Sequence, residues 1–292
     1  MHRVILIFFL CCLACQEKEP CDYIEDYYQQ VYQAELAYLE KDYQTAYDAL
    51  KKVESQCDLL NQQIIQEPLM LARLSVILGK PEEAFPYLER MLSEGFYIET
   101  FENDEILEPL KGHEKWKELA SKELDLLLAY RNQLNQDLRK EILEMNEEDQ
   151  AVRINESRKK DMNTVDSIHK KRIKEIFKEY GYPHKGLVGK SSMGERTDIK
   201  VLLMHFLEPE YFTPLLLEST RKGIAPPGYV GFIVDRKNLA DRDSFTYGIY
   251  DNADATQIKD FKNLDKRRIS VGLPPWRLKK KVDSLRRAYL YN

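Results

Sequence analysis

The sequence predicts a mainly α protein, with helical hairpins first and then an α-rich half holding at most a small β-hairpin. Three observations carry this. Charged residues make up 32% of the 292 positions, against only 12 Gly and 12 Pro, a mix that suits helices with solvated faces better than a β-sandwich. Apolar residues recur at helical spacing, as at Leu124, Leu127, Leu128, Leu134 and Leu138 within a stretch, 113–150, that lacks internal Pro and Gly. The hydrophobic content of 43% is enough for one large or two modest cores.

The chain opens MHRVILIFFLCCLAC. Arg3 gives a positive start, and Val4 to Leu13 is an uncharged apolar run. Its length suits a signal-peptide core and falls short of the roughly 20 residues that span a bilayer. Ala14 and Cys15 close it in a way that resembles the bacterial lipobox, with Cys12 where a leucine is usual. The resemblance implies a lipoprotein signal peptide over residues 1–14, a lipid on Cys15 and a charged tether over 15–20. An ordinary secretory leader with Cys15 unmodified is the alternative. Lipoproteins carry two or three acyl chains, which implies firm membrane attachment. Gln16, not aspartate, follows Cys15, so the inner-membrane retention signal is not resembled and the outer membrane is favoured.

Cys11 and Cys12 leave with such a leader, and Cys21 and Cys57 remain. In an oxidising compartment a leftover pair reads as a disulfide rather than a metal site, with two buried free thiols as the alternative. Residues 21–57 read as two antiparallel helices broken near Lys41-Asp42, so both cysteines fall at the open end of the hairpin. LEKDYQTA at the break resembles a tetratricopeptide-repeat turn. EPLMLARLSVILG reads as a buried helix stopped by Gly79, and a further helix begins near Pro81. These form a second tetratricopeptide-like hairpin, and FENDEILEPLKGHEKWKELA resembles the short helices that close such arrays. The tetratricopeptide-like part is placed at 21–122 and an α-rich domain at 123–292. Two hairpins fall short of the three stacked units that usually stand alone, so the first part is expected to lean on the second.

In the second half the 113–150 stretch reads as one long helix. DMNTVDSIHKKRIKEIFKEYG follows as a helix with Asn163 as its N-cap and Gly181 as its stop. SSMGERTDIKVLLMHFL, PEYFTPLLLESTRKG and PGYVGFIVDRKNLADR read as three shorter helices. SFTYGIY alternates, so a hairpin is expected near 244–261, before a loop and a final helix.

Seven separated motifs stand in order over about residues 138–282. They are EMNEEDQAVR with Asp149, Gln150 and Arg153; KDMNT with Asp161; GYPHKGLVG; MHF with His205; VDR with Asp235 and Arg236; Tyr247-Gly248; and LDKRRISVGLPP with Arg268. This ordered set resembles the bacterial domain-of-unknown-function family 6624. Tyr182 stands where that family usually has Trp, Met204 where it has Gln, and Phe245 and Tyr250 replace glutamines. The resemblance implies no known reaction.

His205 is the candidate general base, with Asp149, Asp161 or Asp235 to orient it, Asp149 and Asp235 being the leading candidates. A histidine on a mostly apolar stripe also reads as a satisfied core residue. Arg153, Asp161, Arg236 and Arg268 then read as members of a structural polar network, with Asp235 facing Arg153 or Arg268. No Cys-x-x-Cys, His-x-x-x-His, nucleophile elbow or complete Walker loop occurs, and no metal or cofactor is expected. The net charge of −5 disfavours nucleic acid as a partner. Nine Lys or Arg in 265–292 read as a solvated amphipathic helix or as a headgroup-facing patch. The chain therefore reads as a membrane-anchored, non-catalytic interaction module for a protein or peptide. A hydrolase-type enzyme with a His/Asp site is the alternative.

Overall fold

A computed structural model describes residues 21–191, 195–250 and 253–290; the leader, Cys15 and the tether lie outside them. Asp22 opens the described chain by accepting from the Ile24 and Glu25 amides, and one π turn leads into α1, Tyr28–Leu39. Lys41 adopts φ 65°, and Asp42 caps α2, Tyr43–Gln56, by accepting from Thr45 N. Cys57 follows the helix, and its disulfide to Cys21 closes the hairpin with Cα atoms 5.5 Å apart. The turn and the bond fall where the sequence places them.

Leu59 to Gln66 form a loop held from beneath. Tyr27 donates to Glu67 at 3.0 Å and accepts from Leu60 N, while Gln62 N donates to Glu67 at 2.7 Å. Both ends of this polar knot are buried, so its hydrogen bonds replace lost water. α3 spans Glu67–Ile77, α4 Phe85–Ser93 and α5 Glu99–Glu102. Each stacks on its predecessor or on a neighbouring turn, and α6, Glu114–Gln133, closes the layer against α4.

The long helix expected over 113–150 is two helices. Leu134 leaves α6 in an extended conformation, and Asn135 starts α7, Gln136–Ile154, by accepting from Leu138 N at 3.0 Å. An Asn cap satisfies orphan amides as a glycine or proline break does not. A 3-10 turn leads to α8, Met162–Tyr180. Asp161, not Asn163, occupies the residue before this helix, and Asn163 lies exposed in its first turn. α9 spans Lys185–Val188, α10 Lys200–Phe206, α11 Pro209–Arg221 and α12 Gly228–Asp241. Residues 195–199 are not helical, so the expected helix over SSMGERTDIKVLLMHFL keeps only its second part. α13, Leu264–Ile269, and α14, Trp276–Leu290, end the chain.

No strand occurs among the described residues. In place of a hairpin near 244–261 there is one isolated bridge of parallel sense, Phe245 to Ile258. Asp235 and Arg268 claim the backbone groups that a second ladder rung would need, as set out below.

Two apolar clusters form the core. The first runs from Ile24 to Trp116 and Leu119, the second from Leu138 to Leu273. The break at Leu134-Asn135 lies between them, and residue 122 lies inside α6. α14 returns to pack on α1, with Arg286 Nε donating to Glu35 at 2.7 Å and Lys281 paired with Glu40. Tyr32 donates to Gly272 O and Gln29 to Leu273 O. The first layer thus leans on the second through buried side chains rather than through a linker. Among the described residues no helix is long and apolar enough to cross a membrane.

Candidate functional site

α7 turns a stripe inward at Ile142, Met145, Asp149 and Val152, spacings of three and four that stack on one helix face. A carboxylate therefore stands in an otherwise apolar row. His205 comes from the last turn of α10, and its Nδ1 lies 2.9 Å from Asp149 Oδ1. Arg153, one turn beyond Asp149, places Nη1 2.8 Å from the same oxygen and Nη2 2.7 Å from Asp166 of α8. Gln150 donates to Asp149 Oδ2 at 2.8 Å. Both Asp149 oxygens are thereby engaged, and its side chain is 1% exposed.

Burial alone would raise the Asp149 pKa, but the His205 hydrogen bond and charge, the Arg153 guanidinium and Gln150 outweigh it and hold the carboxyl below its usual range. Asp149, Asp166 and His205 present ligand atoms within 4.8 Å of one another. The Arg153 guanidinium already bridges the two carboxylates, which is where a metal ion would sit, so the set is charge-compensated by the protein itself. An Asp–His pair can also orient a general base. Among the described residues no hydroxyl or thiol is hydrogen-bonded to His205.

Asp235 is elsewhere. It is buried on α12 and accepts from the amides of Thr246, Tyr247 and Ile249 at 2.7, 3.0 and 2.9 Å. Burial pushes its pKa up, against the pull of those backbone donors. Arg268 is wholly buried and donates from Nη1 to Tyr247 O at 2.6 Å and from Nε to Pro274 O at 2.7 Å. Burial pushes its pKa down to about 10. The two charges thus clamp opposite polarities of one loop, and no ion pair joins them directly. Asp235 orients Thr246 to Ile249, not His205. Arg236 and Asp161 form no ion pair with a described residue, so neither joins the Asp149 cluster by a salt bridge.

The second feature is a cleft of about 1640 Å³ between the two layers. Its walls include Ile64 and Phe96 from the first layer, Lys190 and Tyr229 from the second, and Tyr28 and Tyr32 at the joint. Gln150 reaches it, whereas His205 and Asp149 do not line it. Motif reading missed this cleft, and it missed Asp166 as the second carboxylate on Arg153. Asp166 lies one turn inside α8, beyond its first turn, and no motif singled it out; loop 59–66 carried no signal either.

Of the seven motifs, those of Asp149, Gln150, Arg153 and His205 meet in one cluster, and those of Asp235, Tyr247 and Arg268 in another. The fold and these features define an all-α, disulfide-closed protein with two helical layers and a cleft between them. Comparison with known proteins adds no relative: no family model, curated protein or solved structure matches the chain.

Proposed function

We propose that this is a lipid-anchored envelope protein that binds a protein or peptide partner without transforming it. The observation that carries the reading is the interlayer cleft. At about 1640 Å³ it exceeds the usual span of small-molecule pockets, roughly 300–1,000 Å³, and its aromatic and aliphatic walls suit a peptide segment. Ile64 at its edge is 71% exposed, an apolar side chain available to a partner. The Cys21–Cys57 bond supports export, because such bonds persist in oxidising compartments. Lipidation of Cys15, and the outer membrane as its location, rest on the leader pattern.

A photo-crosslinking residue at Ile64 tests the binding reading in intact cells. A discrete adduct is expected there and none from Leu124, which is 66% exposed on α6 and does not line the cleft. No adduct from Ile64, or equal adducts from both, contradicts it.

The enzyme reading keeps one favourable observation, the 2.9 Å Asp149–His205 contact. Loss of cellular function in a folded His205→Gln variant, with the Ile64 adduct intact, would favour it.

A further inference from the structure

We infer that one end of the cleft is a carboxylate subsite built on Lys190, so that the partner is an acidic peptide. The inference rests on the binding reading and deepens it. Lys190 follows Gly189 in the loop after α9 and lines the cleft. Its ammonium stands 3.5 Å from the centre of the Phe96 ring and makes no ion pair with a described residue. A ring face attracts a cation, but it does not replace the water that burial removes.

The carboxylate that bears on Lys190, Glu94, is already engaged. Glu94 already accepts from Arg90 Nε at 3.0 Å, Lys185 Nζ at 3.0 Å and Asn61 at 2.8 Å. Two cations and an amide thus already share this carboxylate. Burial is the main influence on Lys190, Glu94 offsets it in part and Lys185 adds to it, so the amine is pushed down to about 8. An ammonium so placed gains most from a ligand that brings its own negative charge into the cleft.

Aromatic and aliphatic walls on either side would take the apolar neighbours of that carboxylate. The volume admits a peptide segment rather than a lone ion. A carboxylate can come from an Asp or Glu side chain or from a chain terminus, and the two are separable by amidation.

The test uses the full chain in detergent with its disulfide closed. Random 12-residue peptides are selected on the immobilised protein, and enriched sequences are resynthesised with Gln and Asn for Glu and Asp, and with amidated ends. Enrichment in Asp and Glu is expected. Neutralising the critical carboxylate should weaken binding to the wild type about tenfold. Lys190→Met should bind acidic and neutralised peptides alike. In the wild type the acidic peptide should also slow acylation of the Lys190 amine, a readout that needs no variant. Equal binding of the neutralised peptide to the wild type would overturn the inference, as would an acidic preference retained by Lys190→Met. If the folded protein enriches no peptide, the binding reading itself fails. If it enriches only neutral or basic ones, binding stands and the carboxylate subsite falls.

Discussion

The hydroxyl of Tyr32 donates to the carbonyl oxygen of Gly272, 2.9 Å away and 240 positions later in the chain. It is a buried bond across the joint between the two layers. Gly272 adopts φ +79°, and a Cβ there would meet the Tyr28 ring at 2.8 Å and Pro227 at 3.0 Å. Gly272→Ala should therefore cost about 2 kcal/mol through backbone strain and crowding. The layers share buried contacts, so thermal unfolding followed by circular dichroism should show one transition moved down as a whole. An unmoved midpoint, or two separate transitions in the wild type, would contradict a shared body.

The Cys21–Cys57 bond closes a sequence separation of 36. Chain entropy assigns such a loop about 4 kcal/mol. Reduction should lower the urea midpoint correspondingly, and Cys21→Ser/Cys57→Ser should match the reduced protein. Thiol labelling of both cysteines in envelope material without reductant would show that the bond does not form there.

Much of this first layer was legible because its signals are local. The positive-φ turn at Lys41, the Asp42 cap and the Gly79 stop lie within a few residues of the helices they bound. The second half was less legible where long-range partners decide. Asn135 ends a periodic run that looks continuous, because a cap can break a helix without Gly or Pro. Alternating residues near 245 suggested a hairpin, but Asp235 and Arg268 take the backbone groups of 246–249 from distant helices. The Asp149–His205 pairing was one of several possible pairings in sequence, and only packing of α7, α8 and α10 selects it. The cleft depends on how two layers meet, which no local pattern encodes.

Asp149 should matter for stability. Its side chain is 1% exposed and holds His205, Arg153 and Gln150. Asp149→Asn should cost about 3 kcal/mol at neutral pH, since it leaves Arg153 with half its compensation. Urea denaturation measures this, and a cost below about 1 kcal/mol would contradict the network.

The same group sets a pH dependence. The folded state holds Asp149 below its usual range, so the unfolded chain binds the proton first as pH falls. This stabilisation is fully present above about pH 4, where the unfolded carboxyl is ionised, and is lost as pH drops through the folded value. The wild type should therefore lose stability more steeply than Asp149→Asn on acidification below about pH 4. Parallel curves for the two would refute the assignment.

Asp235 and His205 share no hydrogen-bond partner, because Asp235 serves the amides of 246, 247 and 249 while His205 serves Asp149. The effects of Asp235→Asn and His205→Gln on stability should add within about 0.5 kcal/mol. A coupling energy above about 1 kcal/mol would place the two in one site.

Cellular complementation with His205→Gln and Lys190→Met, each carrying the Ile64 crosslinker and each checked for folding, tests the central claim most directly. Function in this reading lies in the cleft. His205→Gln should support growth and crosslink as the wild type does, while Lys190→Met should weaken both. Loss of function in His205→Gln with crosslinking preserved, alongside an unaffected Lys190→Met, would contradict it.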